Sequence, residues 1–468
     1  MSDQAFWPPM PARARNRTLA TTNVRGELLI GGESDSKLIP DSWQQVKALI
    51  QSENLEILAP DLPAWKWWPE ASSDPNSFVV HGKHGEPRAI VIEGRHRKRF
   101  WITCSRVWAN RKPDRALCRD LEQMGRKSGI GQWSTPSRLG DALQRRAWLR
   151  SQGWRWESRP NVWTRGPLLT NGVGGRGQTF KPGSRFTGVY EIDQRDAYAS
   201  AWSIPKPSGP ASMVPGVTNA LGAFAAFGPI RFTIRERLQC LGPLAVRNGD
   251  TLSWPTEPGT WETWAWSQEV EDARACGLEV ESTGTASAWF RSVTDRAWSE
   301  EISELRRSAG GWGSVVKMAT VAAIGRHGRS PRAYIEVSPT ERDAISYGGR
   351  AYAQRDTDCA SITHWHSWAV MQARRRVWHR AVAEEWAGRR VLALETDSLV
   401  LDGPPLGPVV RRGDDHAGEW SVRRADCEVW TPLLRWAIFG DGSGRTPGLP
   451  EEMRAGWLAA HAPPAVAT

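Results

Sequence analysis

The chain reads as an α+β protein with more than one domain. Three observations predict this. It has 468 residues, more than one ordinary domain needs, and 40% of them are hydrophobic, enough for real cores. Strand-like alternations are also interleaved with amphipathic helical stretches along the chain. The net charge of +10 predicts a polyanionic partner. Its cations are unevenly chosen: ten lysines leave 51 of the 61 basic residues as arginine, and Lys317 is the one lysine after Lys206. A point-charge ammonium kept at that position marks it as a candidate contact.

Six cysteines are scattered without CxxC or CxxH spacing, which argues against a zinc site or a disulfide framework and fits a reducing interior. Met1–Met10 lacks a basic-then-apolar signal, and no run approaches a membrane span. A soluble, cytoplasmic protein with no membrane partner is expected. Tryptophan is abundant at 28 residues. A few could stack on bases, and most are expected to fill cores and interfaces.

Taken in order, residues 1 to 25 are polar and basic and are expected to fray. Leu28–Ile30 is a strand, and Asp41–Ser52 is an amphipathic helix capped by Asp41 or Ser42. Residues 65–76 form a loop. Phe78–Val80, Ala89–Ile92 and Arg99–Ile102 are short apolar strands, and Asp114–Lys127 and Pro136–Gln152 are helices. Together they make an α/β module of ordinary domain size, residues 1–170. Asn171–Arg185 is a Gly-rich connector. It serves either as a flexible link or as a backbone that approaches a phosphate chain, with Arg176 as the cation.

Residues 211–226 are small and Gly-rich, and Pro229–Ile234 resumes strand character. Gly242–Arg247, Leu252–Pro255 and Gly259–Trp266 suggest a hairpin layout, and a helix over Ser267–Cys276 stops at Gly277. Thr294–Ser308 and Ser314–Ile324 form a helical hairpin with a Gly-rich tip. Tyr334–Val337 and the segment to Arg355 make a small β excursion. Ser361–Trp386 is a long basic helix ended by Gly388. Strands at Glu419–Val422, Glu428–Trp430 and Leu433–Phe439 precede a Pro/Gly-rich tail.

Two strands carry the chemistry. In Val189–Asp193 apolar residues alternate up to a carboxylate at the strand end. In Val391–Leu401 an apolar hairpin holds Glu395 and Asp397 at its turn. Taken singly, each is a strand-end Asp capping a turn. Acidic groups in apolar strands are costly unless paired or bound to metal. Two such strands joined by a basic segment therefore predict that Asp193 and Asp397 meet across a cation pair, the minimum apparatus for two-metal phosphoryl or nucleotidyl transfer.

The order of these elements resembles family B DNA polymerases, closest to their protein-primed viral and plasmid branch. Asp193-Gln-Arg-Asp-Ala-Tyr198 looks like motif A, Lys317 through Gly325 like motif B, and Glu395-Thr-Asp397-Ser like motif C. Gly174-Gly175-Arg176 resembles the motif that joins exonuclease to polymerase domains in that branch. Pro243–Gly277, with Glu269 and Ala273, resembles the stretch between motifs A and B. Gly418-Glu419-Trp420 and Leu434-Arg435-Trp436 resemble the downstream palm strands and primer-binding segment. The likeness covers about residues 171–440. Departures are Glu395 for the first motif C aspartate, Val321 and Ile324 for the Asn and Tyr of motif B, and Asp196 and Ala199 within motif A.

The resemblance implies a right-hand polymerase with palm, fingers and a small thumb, preceded by an exonuclease-like (ribonuclease H-like) α/β domain. Residues 1–170 would be that domain, without proofreading activity. Residues 171–300 would be connector and first palm part with an insertion, 301–330 the fingers hairpin, 331–440 the second palm part, and 441–468 a short thumb or tail. Asp193 and Asp397, with Glu395 beside them, would bind two Mg²⁺ ions, Mn²⁺ being the alternative. Tyr198 would lie under the sugar and select dNTPs. Lys317 and Arg306 or Arg307 would contact the triphosphate. Gly174, Gly175 and Arg176 would hold template backbone, and Arg435 and Trp436 primer backbone. The Arg374–Arg376 run would be surface charge near DNA.

An active exonuclease conventionally has Asp-x-Glu on its first strand. This chain has Glu33-Ser34-Asp35, reversed and beyond two glycines. The implied partners are a DNA primer-template, dNTPs and a priming terminal protein, in a phage or mobile element. Two other function classes remain open at this stage. One is a catalytically inactive polymerase-like DNA-binding protein; the other is a different two-metal enzyme such as a nuclease, against which the Tyr198 and Lys317 positions speak.

Overall fold

In the computed structural model the first strand lies where the sequence predicts a frayed end: β1, Thr18–Thr22. The structure describes residues 18–22, 25, 27–30, 37–53, 55–59, 62–81, 87–93, 99–104, 115–129, 135–152, 167–168, 171–172, 178–180, 182–248, 251–308, 313–328, 332–337, 345–347, 350–356, 362–410, 416–431, 437–441 and 444–445. Tertiary contacts divide the chain into two units, residues 1–159 with 295–366 and residues 160–294 with 367–468. Among the described residues no helix is long and apolar enough to cross a membrane.

The first unit contains a seven-stranded sheet. Its strands are β1, β2 (Leu28–Ile30), β3 (Lys37–Leu38), β4 (Leu55–Ala59), β5 (Ser77–His81), β6 (Pro87–Glu93) and β7 (Arg99–Cys104), in the spatial order β3-β2-β1-β4-β7-β6-β5. β1 runs parallel to β4 and β4 parallel to β7, while every other neighbouring pair is antiparallel. β4 is buried along its whole length, as expected of a strand inside such a sheet. β1 escapes a hydropathy reading because it is Thr-Leu-Ala-Thr-Thr. Branching at Cβ suits threonine to a pleated strand, and Thr21 and Thr22 end up buried. Trp65 Nε1 donates to Thr22 Oγ1 at 3.2 Å, so the buried hydroxyl is satisfied.

Helix α1 (Trp43–Ser52) begins at Ser42, whose hydroxyl accepts from the Gln45 N–H at 3.3 Å, and it buries Trp43, Val46 and Ile50. The expected loop at 65–76 contains a short helix, α2 (Trp68–Ser73), with Pro69 in its first turn. Helices α3 (Arg115–Ser128) and α4 (Pro136–Gln152) follow.

The helical hairpin Ala297–Arg307 and Gly313–His327 packs against α4 in the same unit. A Cβ on Gly140 of α4 would lie 2.0 Å from the Ala319 carbonyl oxygen, so glycine permits this approach. Asp141 is 3.0 Å from Arg145 and 2.7 Å from Arg326, and Glu301 pairs with both Arg146 and Arg150. His327 is buried between these helices. Its Nδ1 accepts from the Ile362 N–H at 3.1 Å, so its Nε2 carries the proton donated to Gln144 Oε1 at 2.8 Å. Burial, then the charge of Arg326, hold its pKa well below the usual histidine value, and the imidazole is neutral. The β excursion is a three-stranded antiparallel sheet, ordered Arg332–Val337, Arg350–Asp356, Ile345–Tyr347.

The second unit also holds a seven-stranded sheet, wholly antiparallel. Its order is Gly444–Arg445, Ala437–Phe439, Trp420–Thr431, Ser184–Gln194, Ser398–Leu401, Val391–Glu395, Gln178–Thr179. Ile192, Leu394, Leu399 and Leu401 pack with Val377, Trp378 and Ala381 of the long helix Thr363–Trp386. A second sheet, built around Ala225–Ile234, lies between Ser212 and Trp289 in sequence. Much of the tryptophan content fills cores: Trp266, Trp289, Trp368 and Phe227 share one cluster, and Trp266 Nε1 donates to Ser367 Oγ at 3.1 Å.

Candidate active site

Asp193 is the penultimate residue of the central strand Ser184–Gln194. Strand register places it opposite Ser421 on one side and Ser398 on the other, and Ser398 in turn opposes Glu395. Ser421, Asp193, Ser398 and Glu395 thus form one row across four strands. The two serines are buried and small, so they complete the sheet without crowding the carboxylates beside them. Asp397 occupies the hairpin turn, and its carbonyl accepts from the Gln194 N–H at 2.6 Å. That bond makes the two motif-bearing turns neighbours at one end of one sheet.

A second clamp holds the Asp193 strand from the other side. The Arg195 N–H donates to Glu419 O at 3.0 Å, the Gly418 N–H to Arg195 O at 2.7 Å, and Gln194 Nε2 to Gly418 O at 2.8 Å. Gly418 has φ +93°, and a Cβ there would meet Ser200 Oγ at 2.3 Å, so the position requires glycine on both counts. Asp196 takes a left-handed conformation, φ 46°, which aspartate tolerates better than most residues. It turns the chain from strand into the helix Ala197–Ser203.

Tyr198 lies in the first turn of that helix, half-buried and within hydrogen-bonding reach of Thr396. Burial, and then the charge of Asp397, raise its phenol pKa, so it stays protonated. The structure therefore brings Asp193, Asp397, Glu395 and Tyr198 to one sheet end. Among the described residues, no group of three or more His, Cys, Asp or Glu side chains is arranged to hold a metal ion.

Glu191 escapes the sequence reading. It precedes Asp193 by two positions, hence shares its face of the strand, and is fully buried. Arg424, its register partner on the adjacent strand, donates to Glu191 Oε2, and Arg423 Nη1 lies 3.6 Å from Oε1. The period-two spacing of Glu191 and Asp193, with two arginines downstream, is the signal that could have found it.

Arg374–Arg376 is not surface charge, contrary to the sequence expectation. Successive helix positions point in directions about 100° apart, and each of these arginines meets a partner inside the unit. Arg374, 5% exposed, donates to Glu269. Arg375 grips Asp272 through Nε at 2.5 Å and Nη2 at 2.8 Å, and Arg376 donates to Ser200 of the motif A helix. Burial alone would raise the Asp272 pKa, but Arg375 and His379 hold it below the usual carboxylate value.

Lys317, Arg306 and Arg307 belong to the first unit. Lys317 is exposed on the second hairpin helix, Arg306 is half-buried near the end of the first, and Arg307 is exposed and 2.7 Å from Glu304. Of the motif B departures, Val321 is exposed and Ile324 buried. Gly174, Gly175, Arg176, Arg435 and Trp436 lie outside the described residues, as do Glu33 and Asp35.

No protein-family model and no curated protein matches the chain. Its structural neighbours include structures of phi29 DNA polymerase, a protein-primed family B enzyme. The ternary complex of phi29 DNA polymerase with primer-template DNA and incoming nucleotides matches with a TM-score of 0.71 at 11% identity, covering 96% of this chain and 94% of that one. The orthorhombic crystal form matches at 0.67 and the complex with single-stranded DNA at 0.66. Both are 12% identical, with 94% of each chain covered. The fold is therefore that of a family B DNA polymerase over most of the chain.

Proposed function

We propose that this protein is a template-directed DNA polymerase, adding deoxynucleotides to a primer 3′ end in the replication of a phage or mobile element. The observation that carries the reading is the bond from the Gln194 N–H to Asp397 O, which sets the two predicted carboxylate turns side by side within a polymerase fold. Carboxylate oxygens are the donor type that Mg²⁺ and Mn²⁺ prefer. Magnesium sites built on one or two carboxylates commonly take their remaining ligands from substrate phosphates and water. Asp193 and Asp397 would hold the cations, with Glu395 in the same cross-strand row as Asp193. When bound, the ions supply charge neutralisation and Lewis acidity for nucleotidyl transfer.

The protein's own share is positioning. Hydrogen bonds on both sides fix the Asp193 strand end, and Tyr198, which reaches Thr396 beside Asp397, would lie under the sugar and exclude a 2′-hydroxyl. In this reading residues 301–330 are the fingers, and Lys317 with Arg306 or Arg307 contacts the triphosphate. The strand Trp420–Thr431 belongs to the palm. Gly174, Gly175 and Arg176 hold template backbone, and Arg435 and Trp436 primer backbone, a sequence-independent and salt-sensitive affinity suited to a net charge of +10. A terminal protein would supply the priming hydroxyl.

Primer extension with Mg²⁺ and dNTPs tests the reading. Extension lost in Asp397→Ala and kept in Glu33→Ala supports it. A folded wild type that binds primer-template DNA without extending it marks an inactive polymerase-like binder instead.

A further inference from the structure

Two thiols of the second unit touch one another outside the carboxylate site. Cys240 lies between the strands Ala225–Ile234 and Val246–Asn248, and Cys276 ends the helix Ser267–Ala275; their Sγ atoms are 3.6 Å apart across 36 positions of sequence. Both are half-buried. Their backbones are anchored: the Cys276 N–H donates to Asp272 O and Ala273 O, each at 3.1 Å, and Trp378 Nε1 donates to the carbonyl of Leu241, next to Cys240, at 2.8 Å. Both side chains pack on the same apolar cluster as Leu241 and Trp378. The remaining described cysteines are placed differently: Cys104 and Cys118 are buried, and Cys427 donates to Val189 O.

We propose that Cys240 and Cys276 are a dithiol modification site that closes to a reversible disulfide when the protein meets a peroxide. Sulfurs in van der Waals contact need only a small approach to bond, provided the Cβ vectors allow it. The Cys240 thiolate attacks a peroxide oxygen, breaking the O–O bond and leaving a sulfenic acid; the departing hydroxide takes a proton to become water. The Cys276 sulfur then displaces the sulfenic hydroxyl, giving up its proton to a second water. Two thiols lose two electrons and two protons, and hydrogen peroxide becomes two waters. The adjacent Cys240 sulfur, burial and the nearby Asp272 carboxylate push the Cys276 pKa up. The bond would tie the 235–245 loop to the helix whose Asp272 holds Arg375 and His379. It stands independently of the polymerase assignment.

The test uses the full chain, treated with hydrogen peroxide under native conditions, alkylated and digested. The expected product is one crosslinked peptide pair containing Cys240 and Cys276, two hydrogens lighter and restored by dithiothreitol. The thermal midpoint should rise by about 5 °C, and Cys240→Ser should abolish both effects. Full alkylation of Cys240 and Cys276 after treatment would overturn the proposal, as would sulfinic acid at either without the crosslink, or a crosslink that survives Cys240→Ser. The wild-type peptide map alone decides the matter should a variant fail to fold.

Discussion

Each unit is built on a seven-stranded sheet, and the two sheets finish their inner strands differently. In the first unit, β1 ends in Thr21-Thr22, buried and neutral, with Thr22 accepting from Trp65. On its inner strand β4 the buried carboxylate of Glu56 is 2.7 Å from Arg138. In the second unit the central strand carries Asp193 next to its end, beside Asp397 and Glu395, and backbone hydrogen bonds hold the two turns together. Glu191, two residues before Asp193 on the same face, is paired by Arg424. Carboxylates brought together at a sheet end repel one another, a cost that bound cations relieve.

The contrast can be broken or sharpened experimentally. The largest effect belongs to Asp397→Ala, expected to lower primer extension by roughly 10³-fold or more while the melting curve stays near wild type. Retention of activity within tenfold would show that the strand end is not the reaction centre. In the first unit, Arg138→Ala strips the guanidinium from a carboxylate that is 1% exposed, and should cost roughly 3 kcal/mol in urea unfolding without a comparable change in nucleotide affinity. Adding Glu56→Gln should recover part of that loss, a coupling a double-mutant cycle reads directly.

Gly418→Ala tests the clamp on the Asp193 strand. A side chain at φ +93° facing Ser200 should destabilise the second unit by about 2 kcal/mol and depress extension, read by thermal unfolding and single-turnover kinetics. The smallest effect is a pH dependence confined to the first unit. The folded pKa of His327 is depressed, so the unfolded chain binds the proton more readily. Stability is therefore full above the ordinary value of 6.5 and falls as pH drops below it. His327 should contribute up to about 1.4 kcal/mol per pH unit to that slope, with the buried His366 acting in the same direction, and His327→Gln should reduce it. An unchanged slope in that variant would assign the titration to another group.

Much of this was legible in the chain. The strands carrying Asp193 and Asp397, the capped helix after Ser42, and the helical hairpin with Lys317 all rest on local alternation, periodicity or turn chemistry, which neighbouring residues specify. β1 was not, because its threonines look polar until Trp65 and a parallel partner cover them. Nor was the fate of Arg374–Arg376. Three consecutive arginines suggest a solvated surface, and only the placement of Glu269, Asp272 and Ser200 shows where their charges go.

The sequence by itself determined which residues carry carboxylates at strand ends, where glycine and proline interrupt the elements, and the basic balance that calls for an anionic partner. Tertiary structure alone decided that Asp193 stands opposite Ser398, that Gln194 reaches Asp397, that Arg424 neutralises Glu191 and that Cys240 touches Cys276. The division has a physical cause. Periodicity is written in adjacent residues, whereas register and ion pairing depend on which distant strands come to lie side by side.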